Sequence, residues 1–361
     1  MSFGLAGRDL AALTSLADAT GAQGVRRADA AQPNSIVQAL RGVKVLISCA
    51  GPFVDIGAAA AHAALQAGVH YLDSSGEPAW VDRLLDSDAA ARTRGIAMAP
   101  AMGWDEVPGD VAATLAVSPP ALPGRSRSTR AGSPEGPADL TITYSLPSHA
   151  STGTLRSAVR IMGAPGVWMR AGQPLPVHAG QFHRWAPMPS PIGVRASLSW
   201  PFAEAHLAPL HLPLARLRTF VTAGRLAKTG MRVLRPALPS LAGPRRADAV
   251  AALLRRSIGP PEGPQRGRWT ILAEGGSPRG RRNVVMMGLD PYGLTAHLLA
   301  AGAQIMAGPG YGVTGVVAPV QAVGLEVLQH ELARMGVRTQ ILGPADLEPT
   351  AGTGADEEGR F

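Results

Sequence analysis

Val43-Lys-Val-Leu-Ile-Ser-Cys-Ala-Gly-Pro-Phe53 decides the fold. The run from Val43 to Ala50 is apolar almost throughout, as a strand covered on both faces requires, and Gly51-Pro52 closes it. Strands and helices alternate outward from it in both directions. Before it, Gly4 to Ala6 read as the end of a strand, Leu10 to Ala19 as a helix, Gly24 to Ala28 as a short strand and Ser35 to Leu40 as a helix. After it come a helix at Gly57–Ala67, a strand at Val69–Leu72, a helix at Pro78–Arg94 and a strand at Ile96–Pro100. This alternation is the signature of an α/β domain built on a parallel sheet.

The chain has 361 residues, enough for two domains at about 150 residues each. Hydrophobic residues make up 46% and charged residues 17%, a balance that buries a core and excludes disorder as the main state. Gly (43) and Pro (32) supply many turns without a collagen period. One cysteine, Cys49, excludes an intrachain disulfide and any multi-cysteine metal site, and fits a reducing compartment. The first residues reach Arg8 and Asp9 before any long apolar run, unlike a signal peptide, so the expected location is cytoplasmic. Pro291 to Leu325 carries no Asp, Glu, Lys or Arg, but Gly308-Pro309-Gly310 would break a membrane span, and two buried helices joined by a glycine-rich turn fit better.

Past the Pro-, Gly- and Ser-rich stretch Ser118–Pro137 the order of elements changes. A strand at Leu140–Leu146, a helix near Thr154–Met162, alternating stretches around Val194–Trp200 and strands at Trp269–Ala273 and Val284–Gly288 describe an α+β domain. Helices at Tyr292–Met306 and Val320–Met335 and a strand at Val337–Leu342 follow. The expected division is therefore 1–120, a linker at 121–138, an α+β domain for substrate or dimerisation at 139–345 whose last helices return to the first, and a disordered tail at 346–361.

The formal charge is +8, and no acidic residue lies between Glu204 and Asp248. Arg216, Arg218, Arg225, Lys228, Arg232, Arg235, Arg245 and Arg246 alternate there with apolar residues, so 205–247 reads as a basic amphipathic helical region. Its partner would be an anionic membrane surface, an acidic protein or a phosphorylated substrate; a solvated helix face is the plain alternative. No nucleic-acid motif or aromatic stacking platform accompanies the charges, so nucleic acid is not expected.

Several motifs carry chemistry in combination. Ala6-Gly-Arg-Asp9 has the form of a strand end where an arginine meets a ribose 2′-phosphate, and equally that of a plain turn with Asp9 as a helix cap. Cys49-Ala-Gly-Pro-Phe53 ends its strand in small residues that let a ligand approach the backbone. With Asp29, Gly57, Gly68-Val-His-Tyr-Leu-Asp-Ser-Ser-Gly-Glu77, Gly103-Trp-Asp-Glu-Val-Pro-Gly-Asp110, Ser151-Thr-Gly-Thr154 and Asp290-Pro-Tyr-Gly-Leu-Thr295, these resemble the saccharopine dehydrogenase-like oxidoreductases, including bacterial trans-acting enoyl reductases. The likeness runs from residue 3 to about residue 340.

That resemblance implies a Rossmann-like NAD(P)-binding domain followed by an α+β domain, with no metal. It favours NADP(H) through Gly7 and Arg8, places Asp29 near the adenine, and lines the cofactor with Cys49, Ala50, Gly51, Pro52 and Phe53. Asp73, Ser75, Gly76, Glu77, Gly103, Trp104 and Asp105, with Ser151, Gly153 and Thr154, would border the substrate cleft. No residue is assigned a catalytic role. Structural readings stand beside these: Glu77 and Asp105 as helix caps, Pro108 in a helix's first turn, Cys49 as a small buried residue. The family pattern also has a strand and glycine-rich phosphate loop about thirty residues before the Ala6–Asp9 turn, so the resemblance reads as an N-terminally truncated member.

Two other patterns are discounted. Gly310-Tyr-Gly-Val-Thr-Gly315 matches G-x-G-x-x-G, but helical sequence precedes it where a strand is needed. Gly275-Gly-Ser-Pro-Arg-Gly280 lacks the lysine of a P-loop and reads as a hairpin turn, while His149, His178, His183, His206 and His211 show no metal spacing. The expectation is an NADP-dependent oxidoreductase transferring hydride to an unsaturated, carbonyl or imine substrate in lipid metabolism, with a small-molecule or acyl substrate, homodimeric and membrane-associated through 205–247. Its alternative is a catalytically inactive member that binds a lipid surface or a partner.

Overall fold

The structure is a computed structural model that describes residues 2–117, 137–147, 150–224, 246, 248–253, 267–277, 280–342 and 359–360. Along the chain the first elements are β1 (Leu5–Gly7), α1 (Leu10–Thr20), β2 (Val25–Arg27), α2 (Pro33–Ala39), β3 (Val45–Ser48), α3 (Phe53–Ala67), β4 (His70–Asp73), α4 (Pro78–Leu85), α5 (Asp88–Thr93), β5 (Ala97–Ala99) and α6 (Glu106–Val117). Next are β6 (Ala138–Ser145), α7 (Thr152–Gly163), β7 (Gly166–Arg170), β8 (Gln173–Val177), β9 (Phe182–Pro187), β10 (Val194–Ser199), α8 (Glu204–Leu207), a 3₁₀ turn at Ala208–Leu210, and β11 (Leu214–Thr222). The last are β12 (Trp269–Ser277), β13 (Gly280–Gly288), α9 (Pro291–Met306), β14 (Gly315–Val316), α10 (Pro319–Val323), α11 (Leu325–Arg334), β15 (Arg338–Leu342) and β16 (Gly359–Arg360).

These elements form two compact units, Met1–Gly103 with Thr295–Gly324, and Trp104–Leu294 with Leu325–Phe361. The boundary falls at Gly103 instead of near residue 120, because α6 packs on β12 and β13 and so belongs to the second unit. Of the late helices, α10 and most of α9 lie in the first unit and α11 in the second. The expected linker and tail lie almost entirely outside the described residues.

In the first unit every strand pair is parallel. β1 pairs with β2, and a separate sheet runs β14-β5-β4-β3. The helices between them are set by local chemistry. Asp9 caps α1 by accepting from the Ala12 N–H at 3.0 Å, and α3 stops where Gly68 takes φ 68°, a conformation that costs glycine little. Phe53, Ala61, Ala64, Tyr71, Trp80, Leu84 and Met98 fill the core under α3 and α4. The helix expected over Pro78–Arg94 is two helices, α4 and α5, with the break at Asp86-Ser87. β3 is the edge strand of its sheet, so Ile47 is 37% exposed where the apolar run suggested cover on both faces.

In the second unit, ten strands form one sheet among the described residues, in the order β15-β13-β12-β6-β11-β10-β9-β16, with β7 beside β11 and β8 beside β7. Leu140, Ile142 and Tyr144 of β6 line up with Gly275, Ala273 and Ile271 of β12, all on one face, with Ala116 of α6 against Gly275. The expectation of a basic amphipathic helix over 205–247 is corrected at 214–222, which is β11, paired with β6, β7 and β10. Its Thr219, Val221 and Thr222 are β-branched, and Arg216 pairs with Asp139 while Arg218 donates to Thr141. Residues 225–245 lie outside the described residues. Over Pro291–Leu325 the strand β14 intervenes between α9 and α10, and β12 with β13 confirms the hairpin at Gly275–Gly280.

Candidate functional site

In the first unit the chemistry gathers at the carboxyl ends of parallel strands. β1 ends at Gly7 and β2 at Arg27, directly paired, and beyond them Arg8, Asp9, Leu10 and Arg27 line an open depression of about 580 Å³. Arg8 and Arg27 are exposed, and among the described residues neither guanidinium makes a hydrogen bond or ion pair. Arg26 points its charge elsewhere: it donates to the carbonyls of Ala39 (2.6 Å) and Arg41 (2.8 Å) and so ties down the end of α2. Asp29 is half-buried, with one carboxylate oxygen accepting from the Ala31 N–H at 2.9 Å to close a turn.

After β3, Cys49, Ala50 and Gly51 are exposed and Pro52 half-buried, so the small residues of this stretch are open to a ligand. Phe53 is not: it is buried, and its N–H donates to Glu77 (3.0 Å) while the Val54 N–H donates to the other Glu77 oxygen (2.9 Å). Glu77 therefore supplies the anion that the N-terminus of α3 attracts. Phe53, expected at the cofactor, and Glu77, expected at the substrate cleft, are thus joined to each other at the start of α3. Asp73 is spent in the same way. Its carboxylate accepts from Tyr71 Oη (2.9 Å), Ser75 N (2.9 Å), Ser75 Oγ (2.6 Å), Trp80 Nε1 (2.7 Å) and Ala101 N (2.9 Å), joining β4, α4 and the end of β5. Asp73 and Ser75, expected at the substrate cleft, are enclosed, and Gly76 is half-buried. Desolvation, reinforced by the Asp73 charge, pushes the Cys49 thiol up, which removes the thiolate a nucleophile needs.

In the second unit, Trp104-Asp-Glu106 leads into α6, and Trp104 packs its ring 5.6 Å from that of Trp269. Glu106 and Asp110 stand one turn apart on one helix face. Opposite them lie the start of α8 and the 3₁₀ turn. The Ala203 N–H donates to Glu106 Oε1 at 3.0 Å, and Asp110 Oδ1 meets His211 Nε2 at 2.7 Å. Glu106 and Glu204 are both 1% exposed, and among the described residues neither oxygen of Glu204 nor Oε2 of Glu106 has a hydrogen-bond partner. Gly109 makes this approach possible, since a Cβ there would collide with Glu204 Oε1 and Tyr144 Oη. Desolvation pushes the Asp105 carboxyl up to about 6 and that of Glu204 up to about 8. Glu106 is driven up by burial first, then by repulsion from Glu204 and Asp105. Among the described residues no group of His, Cys, Asp and Glu side chains is placed to hold a metal.

A second cluster in this unit is more open. Ser151 caps α7 by accepting from the Thr154 N–H, and its own N–H donates to the hydroxyl of Tyr292, which opens α9. Thr154 Oγ1 lies 3.0 Å from Ser151 Oγ and 3.3 Å from Tyr292 Oη, making a cluster of three hydroxyls at the surface. Gly153 is exposed beside it, whereas Gly103, which closes the first unit, is buried. Sequence reasoning placed Ser151, Gly153 and Thr154 at a cleft but missed Tyr292, though both blocks carried the resemblance. It also missed Arg27, Glu204 and the Asp110–His211 pair, where only the 2.0 period of β2 and the acidic residues of α6 gave a hint.

These features can be set beside known proteins. Saccharopine dehydrogenase (L-Glu forming) from Saccharomyces cerevisiae superposes on this chain with a TM-score of 0.58 and 13% identity, covering 95% of this chain and 94% of that one. The fold is the same. The mixed architecture, with parallel strands in one unit and a large sheet in the other, is thus that of this dehydrogenase. In sequence, a Caenorhabditis elegans protein described as a lipid droplet localized protein is 34% identical over 85 residues, 23% of this chain. The match spans only 20% of that relative's length. No protein-family profile matches the sequence.

Proposed function

We propose that this chain is an oxidoreductase that binds NADP(H) and reduces a carbon–carbon, carbonyl or imine double bond of a small-molecule or acyl substrate. The observation that carries this is Arg8, a guanidinium without a partner among the described residues, facing an open depression at the carboxyl end of a parallel strand in a dehydrogenase fold. Ligands of doubly wound sheets enter at that end of the strands, and an arginine there suits a ribose 2′-phosphate. The residues fit the adenosine end of the cofactor, with Leu10 as an apolar wall and the exposed backbone of Cys49–Gly51 open to close approach.

When bound, the nicotinamide would supply the hydride. The chain's own part is to hold and align. Arg8 anchors the phosphate, while Asp73 and Glu77 make β4, α3 and α4 rigid. Ser151, Thr154 and Tyr292 offer hydroxyls to a polar substrate group, and Tyr292 Oη has a proton to give. The lipid droplet description of the worm relative, together with the resemblance to enoyl reductases, supports an acyl substrate.

The reading is tested by calorimetric titration of NADPH and NADH into the whole chain, expecting NADPH binding that weakens by roughly tenfold or more in Arg8→Ala. A folded protein that takes up neither nucleotide would sink it. A second reading, attachment to a lipid surface or partner without catalysis, draws on Phe3, Leu10 and Leu16, which are large, apolar and exposed around β1 and α1. It gains if the protein floats with vesicles while ignoring both nucleotides.

A further inference from the structure

We infer that Arg27 is the residue that makes the first unit's depression selective for a phosphate monoester, closing with Arg8 on the 2′-phosphate of an adenine nucleotide. This rests on the nucleotide reading above and goes beyond it by assigning the selectivity to a residue that carries no motif. Three observations lead to it.

The first is charge. The depression is lined by Arg8, Asp9 and Arg27. With Arg8 alone, the Asp9 carboxylate beside it would offset the single positive charge, and a dianion would gain little. Arg27 tips the balance to a cationic site. Asp9 cannot swing away without loss, because it holds the Ala12 N–H and with it the start of α1.

The second is availability. Strand alternation sends Arg26 and Arg27 to opposite sides of β2, and the structure shows what each does. Arg26 is consumed by the carbonyls of Ala39 and Arg41, whereas Arg27 has no partner among the described residues and faces the depression. The parallel register sets Gly7 directly beside Arg27, so the two arginines emerge from adjacent strand ends.

The third is the kind of anion. A bridging diphosphate is ordinarily held by free N–H groups at a helix N-terminus, and Asp9 already occupies that position on α1. What remains is side-chain recognition by two planar forks, which suits the terminal oxygens of a monoester.

The test compares wild type, Arg8→Ala and Arg27→Ala by calorimetry with adenosine 2′,5′-bisphosphate, 5′-AMP, NADPH, NADH and inorganic phosphate. Both arginines are exposed and, among the described residues, unpaired, so the variants are expected to fold, and circular dichroism checks it. Arg27→Ala should weaken the bisphosphate and NADPH by roughly tenfold or more while leaving 5′-AMP and NADH unchanged. An Arg27→Ala protein that keeps wild-type affinity for the bisphosphate overturns the assignment, as does an equal loss for NADPH and NADH. If inorganic phosphate competes at the bisphosphate's own concentration, the site reads any phosphate and the adenosine assignment falls. Binding of the bisphosphate through Arg27 without uptake of either dinucleotide would uphold the clamp and remove the oxidoreductase reading. No bisphosphate binding at all removes the clamp, whether or not NADH binds.

Discussion

Each unit buries carboxyl groups, and those at Asp73 and Glu77 are treated in the opposite way from those at Glu106 and Glu204. In the first, Asp73 is wholly enclosed yet meets five donors, and Glu77 receives two backbone N–H groups at the start of α3. In the second, Glu106 has one backbone donor and, among the described residues, neither oxygen of Glu204 meets one, although both side chains are as deeply buried. Donors, not depth, separate a carboxylate that organises a fold from one that holds a proton. Where donors suffice, the charge is redistributed over N–H and O–H dipoles; where they are lacking, desolvation is relieved by protonation. The first arrangement builds a frame, and the second stores a titratable group near neutrality.

The comparison breaks most visibly at Asp73. Asp73→Ala leaves the Tyr71, Ser75, Trp80 and Ala101 donors without that acceptor, and should cost roughly 3–5 kcal/mol in denaturant unfolding, since several buried donors are stranded at about 1–3 kcal/mol each. A cost under about 1 kcal/mol would show that the hub is not structural.

Glu204 provides a finer test through pH. In the fold its carboxyl keeps its proton up to about 8, against an ordinary value of 4.5. Between those limits the folded form binds more protons than the unfolded one, so stability falls as pH rises, with a limiting slope of about 1.4 kcal/mol per pH unit. Glu204→Gln cannot titrate and should flatten this part of the profile, gaining most on wild type near pH 8. Parallel melting profiles for the two proteins across that window would refute the protonated state.

The smallest effect is expected at Glu77. Glu77→Ala frees the N–H groups of Phe53 and Val54 and should destabilise by about 1–2 kcal/mol, the range for losing a helix cap. Hydrogen exchange at those two amides should accelerate while exchange in the second unit does not change.

Much of this was legible in the chain. The apolar run Val43–Ala50, the Gly68 stop of α3 and the hairpin at Gly275–Gly280 are local signals, and the structure repeats them. β11 was misread because Leu214, Leu217 and Val221 fit a helical face as well as a strand, and pairing with β6 settled the matter. Arg8 could be named from its turn, yet nothing in Arg26-Arg27 says which one is spent.

The amino-acid sequence by itself determined the alternating α/β order, the cap at Asp9, and Arg8 at a strand end, because each depends on neighbours within a few residues. Tertiary structure alone decided that Arg27 joins Arg8, that Tyr292 meets Ser151 and Thr154, and that Glu106 and Glu204 face each other almost a hundred residues apart. Those are properties of strand register and helix packing, in which a side chain's partner, and therefore its charge, depends on which distant backbone arrives beside it.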